Sequence, residues 1–230
     1  MSVWAVLVAA GRGERLGEDR PKAFVRLGDL PLLAEPLRRL DECEWIDHVV
    51  VVAPPEWEEP AILLAEEIGA SKAGACVTGG ETRTESVRLG VAEVADDAAV
   101  IVVHDAARPF AGADLFDAVV AEARTLGAAL AATPVADTLK EAHAGRVTRT
   151  LARAGLWQAQ TPQAVRRELL VEAHARARAD GVLATDDVAL VERLGHPVGV
   201  VPVHAPNPKV TTAADLAWAE AWLAAQAARS

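Results

Sequence analysis

The sequence predicts an α/β fold, a mostly parallel twisted sheet with helices on both faces. Three observations carry this: continuous apolar runs that recur along the chain, helical periodicities between them, and a small-residue loop set directly on the end of the first run. Strands buried on both faces read as unbroken apolar segments, whereas half-exposed strands alternate. Alternation of such runs with helices gives a parallel sheet covered on two sides.

The first run is 3–9 (VWAVLVA), and similar runs follow at 48–53, 98–103, 128–132 and 198–203. Between them, residues 61–68 carry Ile62, Leu63, Leu64 and Ile68 ahead of Gly69, which suits a helix stop. Residues 114–126 place Leu115, Phe116, Val119, Ala123 and Leu126 on one helical face before Gly127. A last helix is expected to start near Thr212, with Asp215 in a capping-box position and Leu216, Trp222 and Leu223 on its apolar side. Residues 137–152 break the pattern: they are polar, β-compatible and hinged at Ala144-Gly145, so they read as a hairpin. An isolated hairpin is marginal in water. It either lies on its own domain or reaches as an arm to a second subunit, and its shortage of large apolar residues favours the arm. No repeat, linker or domain boundary interrupts 1–230, so one domain with an arm at about 137–153 is expected.

With 230 residues and 51% hydrophobic content, the chain is long enough to bury a full core. A net charge of −10 argues against a general nucleic-acid binder, and no apolar run is long enough to span a membrane. Cys43 and Cys76 lack metal-ligand spacing and read as buried thiols, and the amino terminus reads straight into a strand, which together predict a cytoplasmic location. Positive charge is nonetheless concentrated between Gly11 and Arg26, where Arg12, Arg15, Arg20, Lys22 and Arg26 face three acids. Lysine occurs at positions 22, 72, 140 and 209 alone, beside nineteen arginines, which points to these sites as places for a compact ammonium.

Two constellations can carry chemistry. The loop after the first strand, Ala9-Ala10-Gly11-Arg12-Gly13-Glu14-Arg15-Leu16-Gly17 with Pro21-Lys22 beyond it, lets backbone N–H groups approach a phosphate chain. It is not a dinucleotide loop, because Leu16 replaces the third glycine and Ala53-Pro54-Pro55 replaces the ribose-binding acid. Nor is it a Walker loop, since no Gly-Lys-Ser/Thr follows. The second constellation, Val103-His104-Asp105-Ala106-Ala107-Arg108-Pro109, ends an apolar strand at the carboxyl edge, where α/β sheets bind ligands. Asp105 could bind sugar hydroxyls or help hold a metal, and Arg108 could clasp a phosphate or hydroxyl. The bland alternative is a solvated Asp-x-x-Arg ion pair. His104 reads as completing the strand's hydrogen bonding rather than as a catalyst.

The loop AAGRGERLG…PK, then VHDAARP, DTLK, GLWQAQTPQ, Thr185-Asp186 and PKVTT, in that order, resembles the 2-C-methyl-D-erythritol 4-phosphate cytidylyltransferases of the non-mevalonate isoprenoid pathway. The likeness runs from about residue 3 to residue 225. It implies the glycosyltransferase-like nucleotidyltransferase fold, a homodimer with exchanged arms, CTP and a small polyol phosphate as substrates, and Mg²⁺ held mainly by the CTP phosphates rather than by a protein cage. It also implies roles. Arg15 and Lys22 match the pair that stabilises the transition state. Ala9, Ala10, Gly11, Gly13, Gly80 and Ser86 match nucleotide-binding positions. Asp105, Arg108, Thr138, Arg153, Thr185 and Lys209 match positions that hold the methylerythritol phosphate, and Arg153 and Lys209 orient it for attack. Thr138 and Arg153 would serve the neighbouring subunit. Glu81 departs from the pattern, where Asp is the commoner residue. The rival readings are a cytidylyltransferase for another polyol phosphate, such as ribitol 5-phosphate, and a catalytically silent nucleotide-binding protein.

Overall fold

The computed structural model describes residues 2–11, 13 and 19–228. A seven-stranded sheet forms its centre, in the order β11-β7-β10-β6-β1-β4-β5. The strands are β1 (Val3–Val8), β4 (His48–Ala53), β5 (Ala73–Thr78), β6 (Val100–Asp105), β7 (Ala128–Pro134), β10 (Trp157–Arg166) and β11 (Gly199–Pro202). Every neighbouring pair is parallel except the two that β10 makes, with β6 and with β7. The five apolar runs of the sequence are β1, β4, β6, β7 and β11. β5 and β10 were not foreseen.

The helices α1 (Ala34–Glu42), α2 (Glu58–Glu67) and α4 (Ala113–Leu126) bury their apolar sides against one sheet face, around Leu7, Val51, Val102 and Phe116. The opposite face carries α3 (Arg83–Ala92), α5 (Arg167–Ala179) and α6 (Val188–Arg193), packed on Val6, Val52, Ile101 and Val103. Both faces of the central strands are thereby dry, which is why their sequences do not alternate. In α2 the core side is Ala61, Leu64 and Ala65, while Leu63 stays largely exposed, so small residues take positions that the hydrophobicity pattern assigned to larger ones. α4 buries Leu115, Phe116, Val119 and Ala123 as expected, and Leu126 turns outward. α7 (Ala213–Ala227) starts at Thr212 with both capping-box bonds formed, and Leu216, Trp222 and Leu223 pack on a small third cluster around Phe110 and Val210.

Two short strands, β2 (Arg26–Leu27) and β3 (Leu30–Pro31), make a separate hairpin after a 3-10 turn at Lys22–Phe24. The polar segment is a hairpin too: β8 (Leu139–His143) and β9 (Arg146–Leu151) pair with each other, outside the central sheet. Ala144 (φ 48°) and Gly145 (φ 75°) form its turn, the positive-φ pair that matches strand twist in two-residue hairpins. Its faces are exposed, Val147 included.

Candidate active site

Parallel strands deliver their carboxyl ends to one edge, and chain order decides where that edge opens. From β1 the chain moves outward through β4 and β5, then returns to β6 on the other side of β1. Connections diverge at such a reversal and leave a crevice. A cleft of about 870 Å³ lies there, walled by the ends of β1, β4, β5 and β6 and the start of α3. Ala9, Ala10, Gly11, Lys22, Gly80, Ser86, Asp105 and Lys209 all line it.

Close approach explains the small residues. A Cβ on Gly79 would stand 2.3 Å from the Ala10 Cβ, so the loop after β5 touches the loop after β1 only because Gly79 has no side chain and Ala10 only a methyl group. Gly13 (φ +72°) has its missing Cβ 2.6 Å from the Cβ of Lys22, so it backs the lysine rather than walling the cleft. Ser86 is buried, and its hydroxyl accepts from Gly80 N at 3.1 Å while donating to Thr82 O at 2.9 Å. It therefore shapes the Gly79-Gly80 loop from within. Thr82 caps α3 by accepting from Glu85 N, and the helix N-terminus beside it is suited to an anion.

Asp105 is the electrostatic centre. Its Oδ1 accepts from Nε and Nη2 of Arg83, both at 3.1 Å, and its Oδ2 meets Lys209 Nζ at 2.6 Å. Burial alone would raise the carboxyl's pKa, but the two cations outweigh it and hold the group below the usual carboxylate range. Arg83 also meets Asp187 Oδ2 at 2.9 Å, in contact by charge though outside hydrogen-bond alignment. Burial favours the neutral guanidine, yet the two carboxylates more than reverse this and keep Arg83 charged. Asp187 is 1% exposed, and burial raises its pKa against the partial offset of Arg83.

The bland alternative, an ion pair between Asp105 and Arg108, does not form among the described residues. Arg108 instead donates from Nη1 to Asn207 O at 2.7 Å, tying the β6 end to the segment that carries Lys209. His104 is wholly buried. Arg108 O can only accept, so His104 Nε2–H donates to it (3.0 Å), and Nδ1 of the neutral ring accepts from the Thr161 hydroxyl (3.1 Å), whose oxygen also accepts from Asp105 N. Burial lowers the imidazole pKa to about 4, so it is neutral and structural.

The family model for 2-C-methyl-D-erythritol 4-phosphate cytidylyltransferase (IspD) matches residues 3–225. The chain belongs to this family. A protein of that description from Pelotomaculum thermopropionicum is 43% identical, over 99% of this chain and 96% of its own length. Another, from Salinibacter ruber, is 45% identical over 94% and 91%. Among solved structures, the 2-C-methyl-D-erythritol 4-phosphate cytidylyltransferase of Thermus thermophilus superimposes with a TM-score of 0.80 at 34% identity, covering 95% of this chain and 98% of its own. The 4-diphosphocytidyl-2C-methyl-D-erythritol synthase of Anaerococcus prevotii gives 0.85 at 27% identity, over 97% and 96%.

Set against the family's motifs, the cleft gathers one set of residues and leaves another aside. Lys22 and Lys209 face the same space as the Ala9–Gly11 backbone. Arg108 follows Ala107 of the cleft wall but does not itself line the cleft, its Nη1 donating instead to Asn207 O. Thr185 is exposed on the loop before α6, and this loop is fastened to α3 by Thr84 Oγ1 donating to Ala184 O at 3.3 Å. Thr138 and Arg153 lie exposed at the base of the hairpin, not on the cleft wall, and Arg153 donates to Ala136 O. Arg15 lies outside the described residues, as do Arg12, Glu14, Leu16, Gly17 and Glu18. Arg83 and Asp187 were missed by sequence reasoning. Their signals were Arg83 three residues before Ser86, on the same helical side, and Asp187 directly after Thr185-Asp186.

Proposed function

We propose that this chain transfers CMP from CTP to 2-C-methyl-D-erythritol 4-phosphate, giving 4-diphosphocytidyl-2-C-methyl-D-erythritol and pyrophosphate. The observation that supports it best is the placement of two lysines, Lys22 and Lys209, in one cleft with the Ala9–Gly11 backbone at the carboxyl edge of β1. The acceptor phosphate is already an anion near neutral pH, so the reaction needs no strong base. What it needs is positive charge, because one anion must approach another and charge grows on the departing pyrophosphate.

In this reading the Ala9-Ala10-Gly11-Gly13 loop and the Gly80-Ser86 segment hold cytosine, ribose and triphosphate. A preference for a pyrimidine at the backbone near Ala10 and Gly80 is what the family resemblance implies. Arg15 and Lys22 meet the charge that develops at the α-phosphate. Lys209, seated on Asp105, presents its ammonium to the acceptor phosphate, and Asp105, Arg108 and Thr185 receive the polyol. Thr138 and Arg153 serve a second subunit's cleft in a homodimer. Mg²⁺ travels with CTP, neutralising phosphate charge. Both Asp105 oxygens are engaged by Arg83 and Lys209, and no group of three His, Cys, Asp or Glu suited to a metal occurs among the described residues. No helix of the described residues is long and apolar enough to cross a membrane. Burial pushes the Cys43 and Cys76 thiols up to about 11, which fits inert reduced thiols in a cytoplasmic protein.

Pyrophosphate release from CTP with methylerythritol phosphate, with ribitol 5-phosphate and with neither tests the reading. Release with the first alone is expected, and ATP or GTP in place of CTP should support far less. Comparable turnover with ATP, or preference for ribitol phosphate, overturns the assignment.

A further inference from the structure

We propose that Arg83 is a positioning residue for the acceptor half of this reaction: anchored on the buried Asp187, it fixes the Asp105 carboxylate in the orientation that seats Lys209. The proposal rests on the functional reading above and assigns a role to two residues outside the family motifs named earlier.

The geometry is asymmetric in an informative way. Arg83 spends two N–H groups, Nε and Nη2, on the same oxygen of Asp105, Oδ1. That leaves Oδ2 turned to Lys209 Nζ. Rotation of the carboxylate would break both bonds on Oδ1 at once, so the lysine meets a held acceptor in Oδ2. Arg83 is itself held from behind. Asp187 Oδ2 stands 2.9 Å from its Nη2, and Asp187 is too buried for water to replace the contact. The other basic group near Asp187 is His174, whose Nε2 lies 4.0 Å from Oδ1 and which burial keeps neutral with a pKa of about 4. Arg83 is thus the charged partner of Asp187 among the described residues.

A buried carboxylate is an expensive way to stabilise a loop, since an apolar residue would serve as well or better. The position of Asp187 suggests what it does instead. It lies two residues after Thr185, on the loop that Thr84 ties to α3, and its backbone N–H donates to Gln163 Oε1 at 3.1 Å. Arg83 therefore joins three parts of the acceptor side: the β6 end, the Thr185 loop and, through Asp105, Lys209.

The test uses the full chain with Arg83→Lys, Arg83→Met and the pair Arg83→Met/Asp187→Asn. Arg83→Met alone orphans a buried carboxylate and is expected to lower the melting temperature by roughly 5–15 °C. Asp187→Asn in the same chain removes that charge and should restore most of the loss. Acceptor KM, measured at saturating CTP, should stay at least about tenfold raised in this refolded pair, whereas CTP KM moves less than about threefold. Arg83→Lys keeps the charge without the fork, so it too should raise acceptor KM more than CTP KM. Recovery of acceptor KM together with stability in the double variant would reduce Arg83 to a structural ion pair. Equal rises in both KM values would place Arg83 on the nucleotide instead, and either result overturns the proposal. A wild-type chain that fails to turn over CTP with methylerythritol phosphate overturns the functional reading, and this proposal with it. Active wild type with unaffected variants overturns this proposal alone.

Discussion

The cleft edge and the hairpin arm are opposites in construction. At and beside the cleft, polar side chains are met from their own chain: Asp105 by Arg83 and Lys209, Arg108 by Asn207, Ser86 by the loop it supports. On the arm, the bonds are strand-to-strand and exposed, as between Arg149 and Glu141 or Lys140 and Thr150. Exposed pairs of that kind contribute little stability. Yet the arm's base carries Thr138 and Arg153, two motif residues that the cleft of the same chain does not take in. The contrast teaches that the polar contacts of the cleft close within one chain, whereas the two motif residues at the arm's base do not line the cleft of that chain. It supports an arm whose substrate contacts are made elsewhere, in a partner's cleft.

The sharpest break of this comparison is at Lys22, on the self-contained side. Lys22→Ala should lower kcat by roughly 10²–10³, as for loss of one preorganised donor to a developing anion. CTP affinity should fall less than turnover, because the charge Lys22 meets grows in the transition state. Steady-state kinetics with direct titration of CTP separates the two, and near-normal kcat would remove Lys22 from the chemistry.

The arm is addressed by complementation. Arg15→Ala and Arg153→Ala, each inactive alone, should regain activity when unfolded and refolded together. In a twofold dimer with exchanged arms, a mixed dimer has one doubly defective site and one intact site, so random mixing approaches about a quarter of wild-type turnover. A mixture as inactive as its parents, with heterodimers verified by mass, rules out shared sites.

A smaller effect comes from acid, and it belongs to the buried half of the molecule. Burial depresses both His104 and His174 to about 4, from an ordinary value of 6.5. The folded state therefore binds fewer protons than the unfolded chain between these limits. The contribution is fully present above about pH 6.5 and is lost as pH falls toward 4. Asp187, raised by burial, runs the other way and offsets part of the loss near the low end. The melting temperature should be flat above about pH 7 and fall by several degrees by about pH 4.5. His174→Gln should flatten that profile, and an unchanged slope would show that other groups set it.

The mildest change is Ala144→Gly in the arm's turn. Ala144 adopts φ 48°, a region that costs a residue with Cβ roughly 1–2 kcal/mol. Glycine removes the cost locally, but the exposed hairpin is weakly coupled to the core, so global melting should shift by less than about 2 °C while amide exchange in β8 and β9 slows. Faster exchange there would show that the turn is held by something other than backbone preference.

Much of this organisation was legible in one dimension. The runs that became β1, β4, β6, β7 and β11 are apolar because both sheet faces are covered, and the Ala144-Gly145 turn declared itself through polar flanks and small residues. Lys22, Asp105 and Lys209 stood out by residue type and position, and the structure brings all three to one cleft. Tertiary structure alone decided β10. Its WQAQTPQAVR carries Pro162 and three glutamines, a pattern that argues against a central strand. The register shift between Ala159 and Gln163 takes Pro162 out of the ladder, and buried Gln163 finds its partners in the backbone N–H groups of Asp187 and Val188. The same reason hid Arg83 and Asp187. Local sequence reports which side chains can bear charge, but whether a charge is buried, and which distant charge answers it, depends on loops that meet only when the sheet has formed.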